Sequence, residues 1–130
     1  MSAALVLRPI RPEDNPAVAR IIRTVMTEYG AVGPGYSIED PEVDAMFEAY
    51  DHPRALFLVL ENNKGEPVGC GGVAPLAGGE PDTCELKKMY FLSEARGQGM
   101  GRKLVETLET AARERGFRYI YLETIAAMQE

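Results

Sequence analysis

Arg96-Gly97-Gln98-Gly99-Met100-Gly101 is the stretch that decides the fold. It follows a strand-like run, Thr83 to Leu92, and opens an amphipathic helix whose inner face carries Leu104, Val105, Leu108, Ala111 and Ala112. Glycines at alternate positions let the backbone approach a ligand with no Cβ in the way. The helix start behind them offers unsatisfied N–H groups and the positive end of a dipole. Together these make a cradle for an anion such as a phosphate. Arg102 and Lys103, just inside the helix, agree, because cations sit badly at a helix N-terminus unless an anion neutralises them.

Outward from this turn the chain reads as one α/β (α+β) domain over residues 1–130. Leu5 to Arg11 reads as a first strand. Asn15 is expected to cap a helix with Pro16 at its first position, and Val18, Ile21, Ile22, Val25 and Met26 mark that helix's core face. Gly30 and Gly33-Pro34-Gly35 form a loop, and a second helix is expected from about Pro41 to Tyr50. Ala55 to Leu60 is a continuous apolar run, suited to a strand buried on both faces. Asn62-Asn63-Lys64-Gly65 turns the chain into a strand over Pro67 to Leu76, where Gly69, Gly71 and Gly72 imply close packing or a bulge. The strand over Thr83 to Leu92 loses its alternation at Met89 to Leu92, which a bulge would explain. Gly116 closes the glycine-led helix, and Arg118 to Thr124 is a fifth strand. The order is β-α-α-β-β-β-α-β.

Composition bounds the function. A net charge of −6 argues against a nucleic-acid partner. The longest apolar run is far too short to span a bilayer, and no signal peptide is evident, so a cytoplasmic protein is expected. Cys70 and Cys84 form no disulfide framework, and a single histidine gives no metal spacing. Seven acids (Glu28, Glu39, Asp40, Glu42, Asp44, Glu48, Asp51) and no Lys or Arg lie between Glu28 and Pro53, which would suit a cationic ligand or simply a solvated helix face.

The glycine turn must be set against its rivals. A Rossmann fingerprint would need a glycine where Arg102 stands, and no Walker string exists. The pattern that fits is Arg/Gln-x-x-Gly-x-Gly/Ala between a strand and a helix. It resembles the acyl-CoA-binding motif of the GNAT superfamily of N-acetyltransferases, and the element order is similar along essentially the whole chain. The resemblance implies a mostly antiparallel sheet flanked by helices, with acetyl-CoA as cosubstrate and no metal. It places the pyrophosphate on the backbone N–H groups of Gln98, Gly99, Met100, Gly101 and Arg102, with Gly97 in the turn and Arg96 beside it. It places the pantetheine arm against the bulged strand at Met89, Tyr90 and Phe91, where a backbone N–H would steady the thioester oxygen.

Glu85 stands eleven residues before Arg96. The resemblance to the histone-acetylating branch makes it the candidate general base that deprotonates the attacking amine. Tyr29 and Tyr36, between the first two helices, are candidate walls of the acceptor pocket. His52 reads as a turn residue rather than a catalyst. The family domain normally continues past the fifth strand with a helix, often carrying a tyrosine acid, and two strands; Glu130 falls about where that helix would begin. A longer protein, a shortened chain, or a second copy covering the strand edge as a homodimer would each account for this. The expected function is direct transfer of an acetyl group from acetyl-CoA to a small-molecule or peptide primary amine in a ternary complex. The alternative is a non-catalytic acyl-CoA-binding or regulatory module of the same fold.

Overall fold

The structure, a computed structural model, describes residues 5–30 and 41–122. Its elements are β1 (Val6–Pro9), α1 (Asn15–Glu28), α2 (Met46–Ala49), β2 (Leu56–Glu61), β3 (Pro67–Pro75), β4 (Thr83–Phe91), α3 (Met100–Glu114) and β5 (Tyr119–Leu122). The strands form one sheet in the order β1-β2-β3-β4-β5. The first three pairings are antiparallel and β4–β5 is parallel, with α3 as the crossover.

Each face of the sheet carries its own core. On one side, Val18, Ile21, Ile22 and Val25 of α1 pack with Val43, Met46 and Tyr50 over Phe57, Val59 and Cys70. On the other, Leu104, Leu108 and Ala112 of α3 pack over Leu58, Val73, Cys84 and Leu86. β2 is buried on both faces, as its unbroken apolar run implies.

The glycines of β3 are set by volume. A Cβ at Gly72 would lie 2.7 Å from the Phe57 ring, 2.8 Å from the Tyr50 ring and 3.0 Å from the Leu56 carbonyl oxygen. A Cβ at Gly69 would meet the Phe91 ring at 2.6 Å, and one at Gly71 would meet Leu104 at 2.8 Å. Glycine here lets large side chains settle directly on the strand backbone.

The start of α1 departs from expectation. Its helix already includes Asn15, and the Asp14 carboxylate before it is held by Arg8 in a two-pronged pair at 2.7 and 2.9 Å and by the Arg11 N–H at 2.7 Å. Arg8 also donates to Glu61 at 2.7 Å, tying β1, β2 and the entry to α1. Asn15 is thereby released to cap another element: its Oδ1 accepts the Phe47 N–H at 2.9 Å at the start of α2. The second helix is shorter than the sequence implies, with a 3-10 turn over Pro41–Ala45 before the single α-turn of α2. The expected first strand is trimmed to Val6–Pro9; the fifth begins at Tyr119 and runs to Leu122, the last described residue, so the expected end at Thr124 lies outside the described residues.

Replacing Gly72 with Ala is expected to lower unfolding free energy by about 2 kcal/mol, because the backbone carbonyl and two ring systems must move. Urea titration would show it as a lower midpoint at unchanged slope. Asp14→Asn leaves the buried Arg8 charge half-paired and is expected to cost about 3 kcal/mol at neutral pH. Burial alone would raise the Asp14 carboxyl, but hydrogen bonds from Arg8 and the Arg11 N–H reverse that and hold it below its ordinary value. A depressed carboxyl stabilises the fold above its unfolded value of about 3.9 and loses that contribution as pH falls through the folded value. The stability gap between the native chain and Asp14→Asn should therefore close in acid below about pH 4.

Candidate functional site

β4 positions the site. Cys84 and Leu86 face α3, and so, three and five residues on from Leu86, do Met89 and Phe91. The face has switched from even to odd numbers, which requires one extra residue between. The pairing shows it: Cys70 lies opposite Tyr90 but Gly72 opposite Lys87, so Lys88 and Met89 together oppose Gly71. Lys88 takes up the irregularity at φ +62°, the single non-glycine residue with positive φ among those described. The Cys70 thiol donates to the Lys88 carbonyl across the bulge at 3.3 Å. Burial pushes that thiol up to about 12, so it is a packing group and not a nucleophile. The bulge expected from the broken alternation is present.

β4 is paired to β5 from Thr83 to Leu86, and no strand among the described residues continues that edge. The Leu92 N–H donates to the Val68 carbonyl at 2.9 Å, so by alternation the Phe91 backbone groups face away from β3. Met89, Tyr90 and Phe91, the stretch the resemblance assigns to the pantetheine arm, thus lie beyond the described pairing with β5, which ends at Leu86 and Leu122.

A 3-10 turn over Ser93–Ala95, anchored by the buried Ala95, leads from β4 into the glycine loop. Gly97 and Gly99 both lie at φ +75°, and a Cβ at either would meet nothing within 4 Å. Conformation demands glycine there, and the space beside it is open. Gly99 is the N-cap of α3 and supplies no side chain to cap it. Among the described residues, no protein acceptor receives the backbone N–H groups from Gly97 to Arg102. They form a row of unused hydrogen-bond donors at the positive end of a four-turn helix. Gly101 has a different role: it is helical, and its Cβ would make only an ordinary 3.8 Å contact with Phe91.

The basic residues divide. Arg102 is exposed at the start of α3. Arg96 points elsewhere. Its two Nη groups donate to Glu28 at 2.9 and 2.6 Å, its Nε donates to the Phe91 carbonyl at 2.9 Å, and its guanidinium lies 5.7 Å from the centre of the Tyr29 ring. Tyr29 stands at the C-terminal end of α1, packed against the α1-side core. Tyr36 falls outside the described residues.

Glu85 lies opposite Ala74 on β3, on the same face of the sheet as Gly72 and Lys87. Its carboxylate is largely buried, at 13% side-chain exposure, and 3.6 Å from the Lys87 ammonium. Tyr50, overlooked in the sequence, sits over Gly72 on that face. Its hydroxyl is buried with no hydrogen-bond partner, and burial, with Glu42 and Glu85 nearby, pushes its ionisation upward. Nothing in the periodicity of a short helix's last tyrosine marks it out. His52 accepts the Arg54 N–H on Nδ1 at 3.0 Å in the turn before β2, a structural role.

Of the five described acids between Glu28 and Pro53, three reach side chains in other elements. Asp44 pairs with Arg23 at 2.7 and 2.9 Å, Glu48 accepts from Asn15 at 2.8 Å, and Glu28 holds Arg96. Among the described residues no group of three or more His, Cys, Asp or Glu side chains is arranged to hold a metal ion, and no helix is long and apolar enough to cross a membrane.

Comparison with known proteins agrees with this geometry. The chain is 47% identical over 126 residues to an uncharacterised N-acetyltransferase, YjgM, of Escherichia coli, covering 96% of this chain and 75% of that protein. An uncharacterised N-acetyltransferase of Schizosaccharomyces pombe is 26% identical, covering 88% of this chain and 68% of its own. The fold matches a GNAT-family acetyltransferase of Staphylococcus aureus at a TM-score of 0.83 and 21% identity, covering 96% and 77% of the two chains. It also matches yncA of Salmonella typhimurium, solved with acetyl-CoA, at 0.76 and 21% identity, covering 92% and 69%. Residues 18–130 match the model of the acetyltransferase (GNAT) family, and with the bulged strand and uncapped glycine turn already in place the chain belongs to that family.

Proposed function

We propose that this chain transfers an acetyl group from acetyl-CoA to a primary amine by direct attack in a ternary complex. One observation carries the reading: the unused N–H row from Gly97 to Arg102 stands at the end of the bulged β4. Family membership and the acetyl-CoA complexes among its structural neighbours support the same donor. The pyrophosphate sits on the N–H groups of Gln98, Gly99, Met100, Gly101 and Arg102, at the turn made by Gly97. The pantetheine arm runs beside Met89, Tyr90 and Phe91. The thioester thereby reaches the bulge.

Glu85 takes a proton from the acceptor ammonium, directly or through a water. The free amine nitrogen then attacks the thioester carbonyl carbon. A backbone N–H at the bulge holds the developing oxyanion. As the tetrahedral centre collapses, the nitrogen gives up its second proton, the C–N bond is kept, the C–S bond breaks, and the departing thiolate takes up a proton. The free thiol and the protonated Glu85 thus balance the two protons lost from nitrogen. No covalent acyl-enzyme is formed, since neither buried cysteine is available as a nucleophile.

Gly99→Val should weaken acetyl-CoA binding by about a hundredfold in calorimetric titration. A β-branched residue is strained at positive φ, and its side chain enters the open space beside the loop. Unchanged affinity would remove the donor site from this turn. Glu85→Gln should lower kcat by about a hundredfold and flatten the acidic limb of the pH–rate profile. A variant that keeps the native profile places the base elsewhere. Saturable acetyl-CoA binding with no turnover over a broad amine panel would instead identify a non-catalytic acyl-CoA-binding module.

A further inference from the structure

We propose that Glu28 and Arg96 form a strut that sets the shape of the donor loop, so that the first basic residue of the glycine turn positions the pyrophosphate site without ligating it. The inference rests on the donor reading above. Both Nη groups of Arg96 are taken by one carboxylate in a two-pronged pair, and Nε is taken by the Phe91 carbonyl. That fork is the geometry with which an arginine would otherwise grip a phosphate. The Tyr29 ring lies alongside the guanidinium, within the range of a cation–π contact.

Glu28 gains nothing from its own helix. It stands in the last turn of α1, where a carboxylate meets the negative end of the dipole. Its partner lies 68 residues away in sequence, on the far side of β4. Arg96 consequently joins three elements: the end of α1, the last residue of β4 and the entry to the glycine loop. On the other flank of the loop, Gln98 Nε2 donates to the Glu94 carbonyl at 2.9 Å. Side chains on both sides of Gly97 therefore hold the loop from behind, and the backbone N–H groups are left to face the ligand. The Glu28 carboxylate is kept ionised by the Arg96 hydrogen bonds, which hold its pKa below the ordinary value.

The two roles open to Arg96 differ in sign. If Arg96 grips phosphate, removing the Glu28 charge frees the guanidinium, removes a nearby negative charge and tightens acetyl-CoA binding. If Arg96 is a strut, the same substitution loosens the loop and weakens binding. Calorimetric titration of the full chain with acetyl-CoA should show Glu28→Gln weakening binding about fivefold, the loss falling on KM for acetyl-CoA more than on kcat. Arg96→Glu should weaken it further. The exchanged pair, Glu28→Arg with Arg96→Glu, should bind more tightly than Arg96→Glu alone. Thermal unfolding of each variant separates this from general damage, since a surface pair should move Tm by no more than about 2 °C. Tighter or unchanged binding by Glu28→Gln, or no rescue by the exchanged pair, overturns the proposal. A native chain that does not bind acetyl-CoA overturns the donor reading itself, and the strut with it.

Discussion

The extra residue in β4 is the constraint on which the rest depends. Holding Lys88 in the left-handed region costs about 1 kcal/mol, and the surroundings must enforce it. Gly71, directly opposite, has no Cβ, so Leu104 of α3 and the Met89 backbone close over it. Cys70 ties the Lys88 carbonyl from the other face. Before the bulge, Cys84 and Leu86 feed the α3 core; after it, Met89 and Phe91 do. The same residue thus keeps the α3 face of β4 apolar on both sides of the bulge. The stretch beyond it is where the proposed reading sets a thin, flexible ligand.

The position of the glycine loop follows from where β4 ends. β4 ends at Phe91, Ala95 buries the short turn beyond it, and α3 must return across the sheet to supply Leu104 and Leu108. The helix therefore begins close to the end of β4, with its N-terminus uncapped. A side-chain cap would satisfy these N–H groups and remove the anion site. Gly99 at positive φ supplies the geometry of a helix start with no group that competes for the donors.

Much of this was legible in the chain. The glycine turn, the five strands and the bulge could be read because each is a local signal: a positive-φ requirement, a period, a broken alternation. What could not be read is held by contacts distant in sequence. Asp14 reads as an ordinary polar residue before a helix, but Arg8 claims its carboxylate, and Asn15 caps α2 in place of α1. Tyr50 is the C-cap of a helix too short to show a period, and its place over Gly72 depends on β3. Arg96 reads as the first residue of the glycine motif, yet its direction is set by Glu28, which no local pattern pairs with it.

The charges show the same division between what a sequence counts and what a fold uses. The run without Lys or Arg from Glu28 to Pro53 reads as an acidic surface that could draw a cation. In the fold, Glu28, Asp44 and Glu48 reach partners in other elements and fix α1 to the glycine loop, to the 3-10 turn before α2 and to α2 itself. A carboxylate already in a two-pronged pair has little field left for a ligand. Local acidity on the α1 side of β4 falls instead to Glu85 and Glu42, which flank the buried Tyr50 hydroxyl. On the proposed reading, an amine drawn toward that point would meet the Glu85 carboxylate on the same strand whose bulge would face the thioester. The acceptor's charge and the reaction's base would then be one requirement, met on β4.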